Sequence, residues 1–188
     1  MPGPKKPRKI TESYLHNAGL HYLQRFSTGT ENFRRVMKRK IERSCNAHAE
    51  QSFDQCIKML NELIEKFQRS GLLDDRNYTT GAIRSLRQKG VSSRAILQKM
   101  HAKGISAELA TDAVRKHDAD ENYGGDMAAA ARYVRRRKLG PFSTRIKEDR
   151  EEKDLASLAR AGYNYEVSQK ILCMAAEEIE RLITAGSG

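Results

Sequence analysis

The chain predicts an all-α protein made of tandem groups of three short helices, elongated and curved rather than spherical. Three observations lead to this expectation. Apolar residues recur at three- and four-residue steps along most of the length, and no segment alternates apolar with polar residues as a half-buried strand would. Glycines and cap-forming Ser, Thr, Asp and Asn punctuate that pattern at short intervals. With 38% hydrophobic residues, 31% charged residues and no Trp, the 188 residues carry too little apolar mass for one thick core. Stacked thin repeats manage with less, because each unit buries only one face.

The opening MPGPKKPRKI is rich in proline and lysine and has no apolar stretch behind its charges. Residues 1–12 are therefore expected to be a flexible basic arm, not a secretory leader. From Ser13 to Phe26, Tyr14, Ala18, Tyr22 and Phe26 follow at four-residue steps with Leu15, Leu20 and Leu23 beside them, which predicts a first helix. Ser27-Thr28-Gly29-Thr30 breaks it, and Thr30 is expected to cap a second helix from Glu31 to about Ser44. Phe33, Val36, Met37 and Ile41 share one face of that helix. A third, about 52–69, carries Phe53, Cys56, Ile57, Leu60, Leu63, Ile64 and Phe67 and stops at Gly71. These three make a first repeat, residues 13–73.

The pattern restarts over residues 74–118. Asp74 or Asp75 can cap a helix with Tyr78, Ala82, Ile83 and Leu86 that ends at Gly90. Ser92 or Ser93 opens a helix with Ile96, Leu97 and Met100 that ends at Gly104, and Ser106 opens one with Leu109, Ala110, Ala113 and Val114. After the polar connection DADENYGG, Asp126 starts a third cycle, spanning residues 119–184. Its first helix carries Met127, Ala130, Ala131 and Val134 and stops at Gly140-Pro141. Ser143 is expected to cap an extended, charged middle helix (KEDREEKD) with Ile146, Leu155 and Leu158, ending at Gly162. Asn164 caps the last helix, with Val167, Ile171, Leu172, Ala175 and Ile179.

Charge narrows the partners. Lys plus Arg number 35 against 24 Asp plus Glu, a net +11 that favours nucleic acid, phosphate or an acidic protein. Between Arg84 and Ala107 no acidic residue occurs, while Arg84, Arg87, Lys89, Arg94, Lys99 and Lys103 do. Aligning the first helices of repeats two and three sets Ala82, Ile83 and Leu86 against Ala130, Ala131 and Val134. Arg84 then matches Arg132, and Arg87 matches Arg135. Each pair is spaced i, i+3 and is expected to share a face away from the apolar stripe. Arg136, Arg137 and Lys138 enlarge the second cluster. Guanidinium groups suit phosphate and carboxylate alike, so the pattern alone leaves both partner types open.

Catalytic and metal-binding signatures are missing. There is no P-loop, and His16, His21, His48, His101 and His117 have no metal-ligand spacing. Asp118, Asp120 and Asn122 resemble the start of a calcium loop, but Tyr123 and Ala129 stand where Gly and Glu are needed. Cys45, Cys56 and Cys173 are odd in number and widely spaced, which predicts free thiols in a reducing cytoplasm. No apolar run approaches the ~20 residues of a membrane span. A protein without enzymatic activity, metal or cofactor is expected.

Three segments in order, SGLLDDRNYT, RSLRQKGVSSRAILQKMHAKGIS and KDLASLARAGYNYEVSQKIL, resemble the RecX family of regulators of the RecA recombinase. The resemblance runs from about residue 14 and is strongest over residues 70–114 and 153–172. The basic arm and KEDREEKD depart from the family pattern. The resemblance implies three-helix repeats similar to a helix-turn-helix, in a cytoplasmic, non-catalytic protein expected to act as a monomer. It further implies binding to RecA recombinase and to its nucleoprotein filament on single- or double-stranded DNA. Filament extension, strand exchange and coupled ATP hydrolysis would be limited, restraining DNA repair, recombination and the SOS response. Arg84, Arg87, Lys89, Arg94, Lys99, Lys103, Arg132, Arg135, Arg136, Arg137 and Lys138 are the expected contact residues; this assignment follows from charge, not from the resemblance. A stand-alone helix-turn-helix-like nucleic-acid binder, such as a transcriptional repressor, is the alternative.

Overall fold

The computed structural model describes residues 7–120, 124–144 and 150–185. Ten α-helices and one 3₁₀ turn account for the regular structure among them, with no strand. By contacts the chain divides into two compact units, residues 1–78 and 79–188.

In the first unit, α1 (Glu12–Leu23), α2 (Thr30–Ala47) and α3 (Phe53–Arg69) surround Leu15, Phe33, Met37, Ile41, Leu60, Ile64 and Phe67, all fully buried. Gly19 is what lets α1 approach: a Cβ there would sit 2.9 Å from the Phe67 ring and 3.0 Å from the Phe33 ring. Thr11 and Ser52 cap α1 and α3 through their hydroxyls, each accepting an N–H of the first turn. Thr30 does not cap α2. It is the first helical residue, and its N–H donates instead to Asp75 Oδ1 at 2.6 Å, a charged acceptor stronger than a hydroxyl.

The basic arm needs a correction as well. Residues 1–6 lie outside the described residues, but Ile10 is buried at 3% exposure, and its N–H and C=O pair with the Gln51 side-chain amide at 3.0 and 2.9 Å. The Ser44 hydroxyl donates to the Arg8 carbonyl at 2.8 Å, and Lys9 pairs with Glu50. One buried isoleucine and four polar contacts make residues 7–11 a strap across α2 and the turn before α3.

The second unit contains α5 (Ser93–Ala102), α6 (Ala107–Asp120), α7 (Gly125–Arg137), α8 (Glu151–Arg160), α9 (Tyr165–Cys173) and α10 (Ala176–Ala185). It also holds most of α4 (Asp75–Gln88), whose amide groups at Arg76 and Asn77 are capped by Asp74 Oδ1, each at 2.9 Å. Four helix ends share one device. Val91, Ile105, Leu139 and Tyr163 each return their N–H to a carbonyl five residues back, at 2.9–3.1 Å. The residue before each of them stands in the left-handed region. This is the Schellman turn that the Lys-Gly-apolar cadence encodes.

Around α7, Ala128, Ala129, Ala130 and Ala131 are all buried, because small side chains admit neighbours on every side. It packs on α9 and α10, and α8 packs on α9. Gly90 lies directly on the α7 backbone: a Cβ there would be 2.7 Å from the Ala129 carbonyl and 2.8 Å from the Tyr133 nitrogen. The Tyr163 hydroxyl donates to the Gly90 carbonyl at 3.0 Å, and the Ser92 hydroxyl to the Ala161 carbonyl at 2.7 Å. Burial, reinforced by the nearby Asp126 carboxylate, pushes the Tyr163 phenol well above its ordinary pKa, so it stays a donor.

One helix expectation changes here. Ser143 follows the 3₁₀ turn Gly140–Phe142 in extended backbone, the conformation of an N-cap, and among the described residues the middle helix is α8, Glu151–Arg160. Ile146 lies outside the described residues. The last helix is two, broken at Met174, whose backbone is extended. Glu178 accepts the Ala175 N–H at 3.1 Å and so restarts the chain as α10, half of a capping box.

Candidate functional site

Arg87 was expected on the exposed face and is the clearest correction. Its side chain is 4% exposed, because Thr79, Ile83 and Arg87 form the i, i+4, i+8 stripe that α4 turns inward. All five guanidinium N–H groups have acceptors. Nε and Nη2 reach the two Asp118 oxygens at 3.1 and 2.5 Å, and Nη1 reaches Asp126 Oδ1 at 2.6 Å and the Val91 carbonyl at 3.1 Å. Nη2 also reaches the Ser93 hydroxyl at 2.6 Å. Asp126 in turn accepts the Ser93 N–H at 2.7 Å, adding a carboxylate to the first turn of α5. One arginine thus joins the ends of α4 and α6 to the starts of α5 and α7. The adjoining cavity of about 10 Å³ is no larger than one water molecule requires, so the cluster is a structural joint and not a ligand site.

Asp118 and Asp126 therefore have a role that sequence reasoning missed. Asp118 looked like a failed calcium ligand and Asp126 like a helix start. The available signal was the four-residue spacing that puts Arg87 on the stripe of Ile83.

The remaining cations of the acid-free stretch face solvent. Arg84, Lys89, Arg94, Lys99 and Lys103 are all exposed, and none forms an ion pair among the described residues. Lys103 closes α5 as its C-cap, where a positive charge meets the carbonyl end of the helix.

On α7 the expected residues separate. Arg132 is half-buried and donates to the Ala128 and Ile183 carbonyls at 3.3 and 3.4 Å, which takes it off the exposed face. Arg135 is exposed but pairs with Glu180 at 2.8 Å. Arg136 donates to the Lys89 carbonyl and lies 5.7 Å over the Tyr133 ring. Arg137 and Lys138 project from the helix end, exposed. The equivalence expected between the two arginine pairs fails: Arg84 is out where Arg132 is half in, and Arg87 is in where Arg135 is out.

Among the described residues no three metal-ligating side chains converge, and no helix is long and apolar enough to cross a membrane. Cys45, Cys56 and Cys173 are free thiols.

Comparison with known proteins places this arrangement among relatives. The chain is 38% identical over 173 residues to the regulatory protein RecX of Myxococcus xanthus, covering 90% of each chain. It is 28% identical to the regulatory protein RecX of Agrobacterium fabrum, over 95% of this chain and 92% of that one. The crystal structure of RecX from Lactobacillus salivarius superposes with a TM-score of 0.60 over 90% of this chain and 97% of that chain, at 20% identity, which speaks for the fold. No protein-family model matches the chain.

Proposed function

Because this chain belongs to the RecX family of regulatory proteins, we propose that it acts by docking on RecA recombinase and its DNA-bearing filament. In this reading it is a non-catalytic cytoplasmic regulator. Docked, it limits filament extension, strand exchange and coupled ATP hydrolysis, and so restrains recombinational repair and the SOS response. The observation that carries the reading is the run from Arg84 to Ala107: five exposed cations, no acidic residue, and the sixth cation turned inward as a structural joint. A surface of one sign on rigid helices draws a polyanion or an acidic protein at long range and fixes its register at contact. In this reading the contact face comprises Arg84, Lys89, Arg94, Lys99 and Lys103 with Arg136, Arg137 and Lys138; it leaves out Arg87, which is buried, and Arg132, which is half-buried and bonded to two carbonyls.

Real-time growth of recombinase filaments on single-stranded DNA, with this protein titrated in, tests the reading. Extension should slow as the protein is added and stop at a saturating level. Undiminished extension at a saturating level would dismiss it. An electrophoretic shift with random DNA, with and without recombinase, separates a filament regulator from a stand-alone repressor. Tight selection of one duplex sequence by the isolated protein would favour the repressor.

A further inference from the structure

We propose that the groove between the end of α7 and the outer face of α8 is a binding site for the phosphodiester backbone of nucleic acid. The proposal deepens the reading above and rests on it in one respect: the α7 cations are taken as part of the contact face.

The groove is open and holds about 590 Å³, room for more than a single phosphate. Arg136, Arg137 and Lys138 line one side. Lys153, Ser157 and Arg160 line the other, at i, i+4 and i+7 of α8 and hence on one helix face. Five cations thus converge from two helices. The one carboxylate among the described lining residues, Asp154, is 2% exposed and turned to the backbone, where its Oδ2 accepts the Gly140 N–H at 2.8 Å. It fixes the turn between the helices. A lining this rich in cations is met best by an array of adjacent phosphates.

Two of the lining side chains are held in place. The Tyr133 hydroxyl meets the Ser157 hydroxyl at 3.2 Å, and Arg136 is fixed by the Tyr133 ring and the Lys89 carbonyl. A guanidinium already held in place loses little freedom when phosphate arrives.

Lys138 supplies an independent observation. Its φ of 54° and ψ of 52° make it the one non-glycine residue with positive φ among the described residues. The other three turns of this kind put Gly90, Gly104 and Gly162 at the same station, with φ of 64°, 81° and 89°. A side chain is disfavoured in that conformation, and glycine would close the helix more easily. Lys138 is exposed and forms no ion pair among the described residues; within the fold its charge meets only the carbonyl end of α7, which Arg135, Arg136 and Arg137 already serve. What it adds is a charge at the mouth of the groove. Strained backbone that carries a functional group is the usual mark of a binding site.

Fluorescence anisotropy of a short labelled oligothymidylate, titrated with the full chain without recombinase, tests the proposal. Lys138→Gly should melt at or above the wild-type temperature yet bind several-fold more weakly. The pair Arg137→Ala and Arg160→Ala should reduce affinity roughly tenfold or more and flatten the slope of log affinity against log salt by about 1.4, two phosphate contacts' worth. Arg115→Ala, on α6 and 76% exposed, should bind like wild type. Overturning results are wild-type affinity and salt slope in both groove variants, or a loss in Arg115→Ala as large as theirs. Saturable binding of inorganic tripolyphosphate with no oligothymidylate binding would also overturn it, assigning the groove to free phosphates. Recombinase capture without DNA reads the docking proposal separately. A wild-type protein that binds oligothymidylate through the groove but captures no recombinase supports this site and removes the docking reading.

Discussion

The ends of α4 and α7 carry nearly the same residues in opposite surroundings. RSLRQKGV and RYVRRRKL both close in a left-handed residue followed by an apolar one whose N–H returns five residues. At the end of α4, Arg87 points inward to Asp118 and Asp126, and Gly90 lies against the α7 backbone. At the end of α7, Arg135 faces out and Lys138 takes the glycine station with its charge in solvent. Local chemistry specifies the turn in both places. The neighbouring helix decides whether charge becomes a joint or a surface.

The comparison breaks most visibly at Arg87. Arg87→Ala should cost about 3–5 kcal/mol in urea unfolding, because two partly buried carboxylates lose their common partner. A loss below ~1 kcal/mol would mean the cluster is solvated after all. Reversing Arg87 to Glu is therefore a test of folding and not of docking. Gly90→Ala should cost about 2–4 kcal/mol, from the left-handed backbone and from a Cβ pressed on the Ala129 carbonyl. At the α7 end the effects are small. Arg135→Ala breaks a half-exposed pair and should change stability by less than about 1 kcal/mol. Lys138→Gly should gain about 0.5 kcal/mol, the relief of the left-handed side chain less the entropy of glycine.

Lys9 and Glu50 offer an exposed pair in the other unit for the same contrast. The Lys9 hydrogen bond holds the Glu50 carboxyl at about 2, below its ordinary 4.5. A lowered folded-state pKa stabilises above the unfolded value and is lost as pH falls through the folded one. The pair's contribution should therefore be complete above about pH 4.5 and fade toward pH 2. An NMR titration of Glu50 in Lys9→Ala should move its midpoint back toward 4.5. An unmoved midpoint would show that Lys9 is not the cause.

Helix ends with local chemistry were legible in the sequence. Asp74, Ser92, Ser106 and Asn164 each cap the helix that follows, Thr30 does not, and the Lys-Gly-apolar turns stand where the cadence puts them. What depended on distant partners was not. The strap at residues 7–11 needs Gln51, some 41 residues away, to pair with Ile10. The break before α10 has neither Gly nor Pro to announce it, only Glu178 three residues past Ala175. Which cations face solvent was half legible. The acid-free stretch shows in composition, and the four-residue step from Ile83 marks Arg87 as inward, but its partners Asp118 and Asp126 lie 31 and 39 residues away.

Recombinase ATPase on single-stranded DNA, challenged with the triple variant Arg94→Glu, Lys99→Glu and Lys103→Glu, tests the account at its centre. These three side chains are exposed and form no ion pair among the described residues, so the variant should melt within a few degrees of wild type. It should leave ATP hydrolysis at the uninhibited rate at concentrations where the wild type suppresses it. Inhibition by the folded variant equal to that of the wild type would contradict the account.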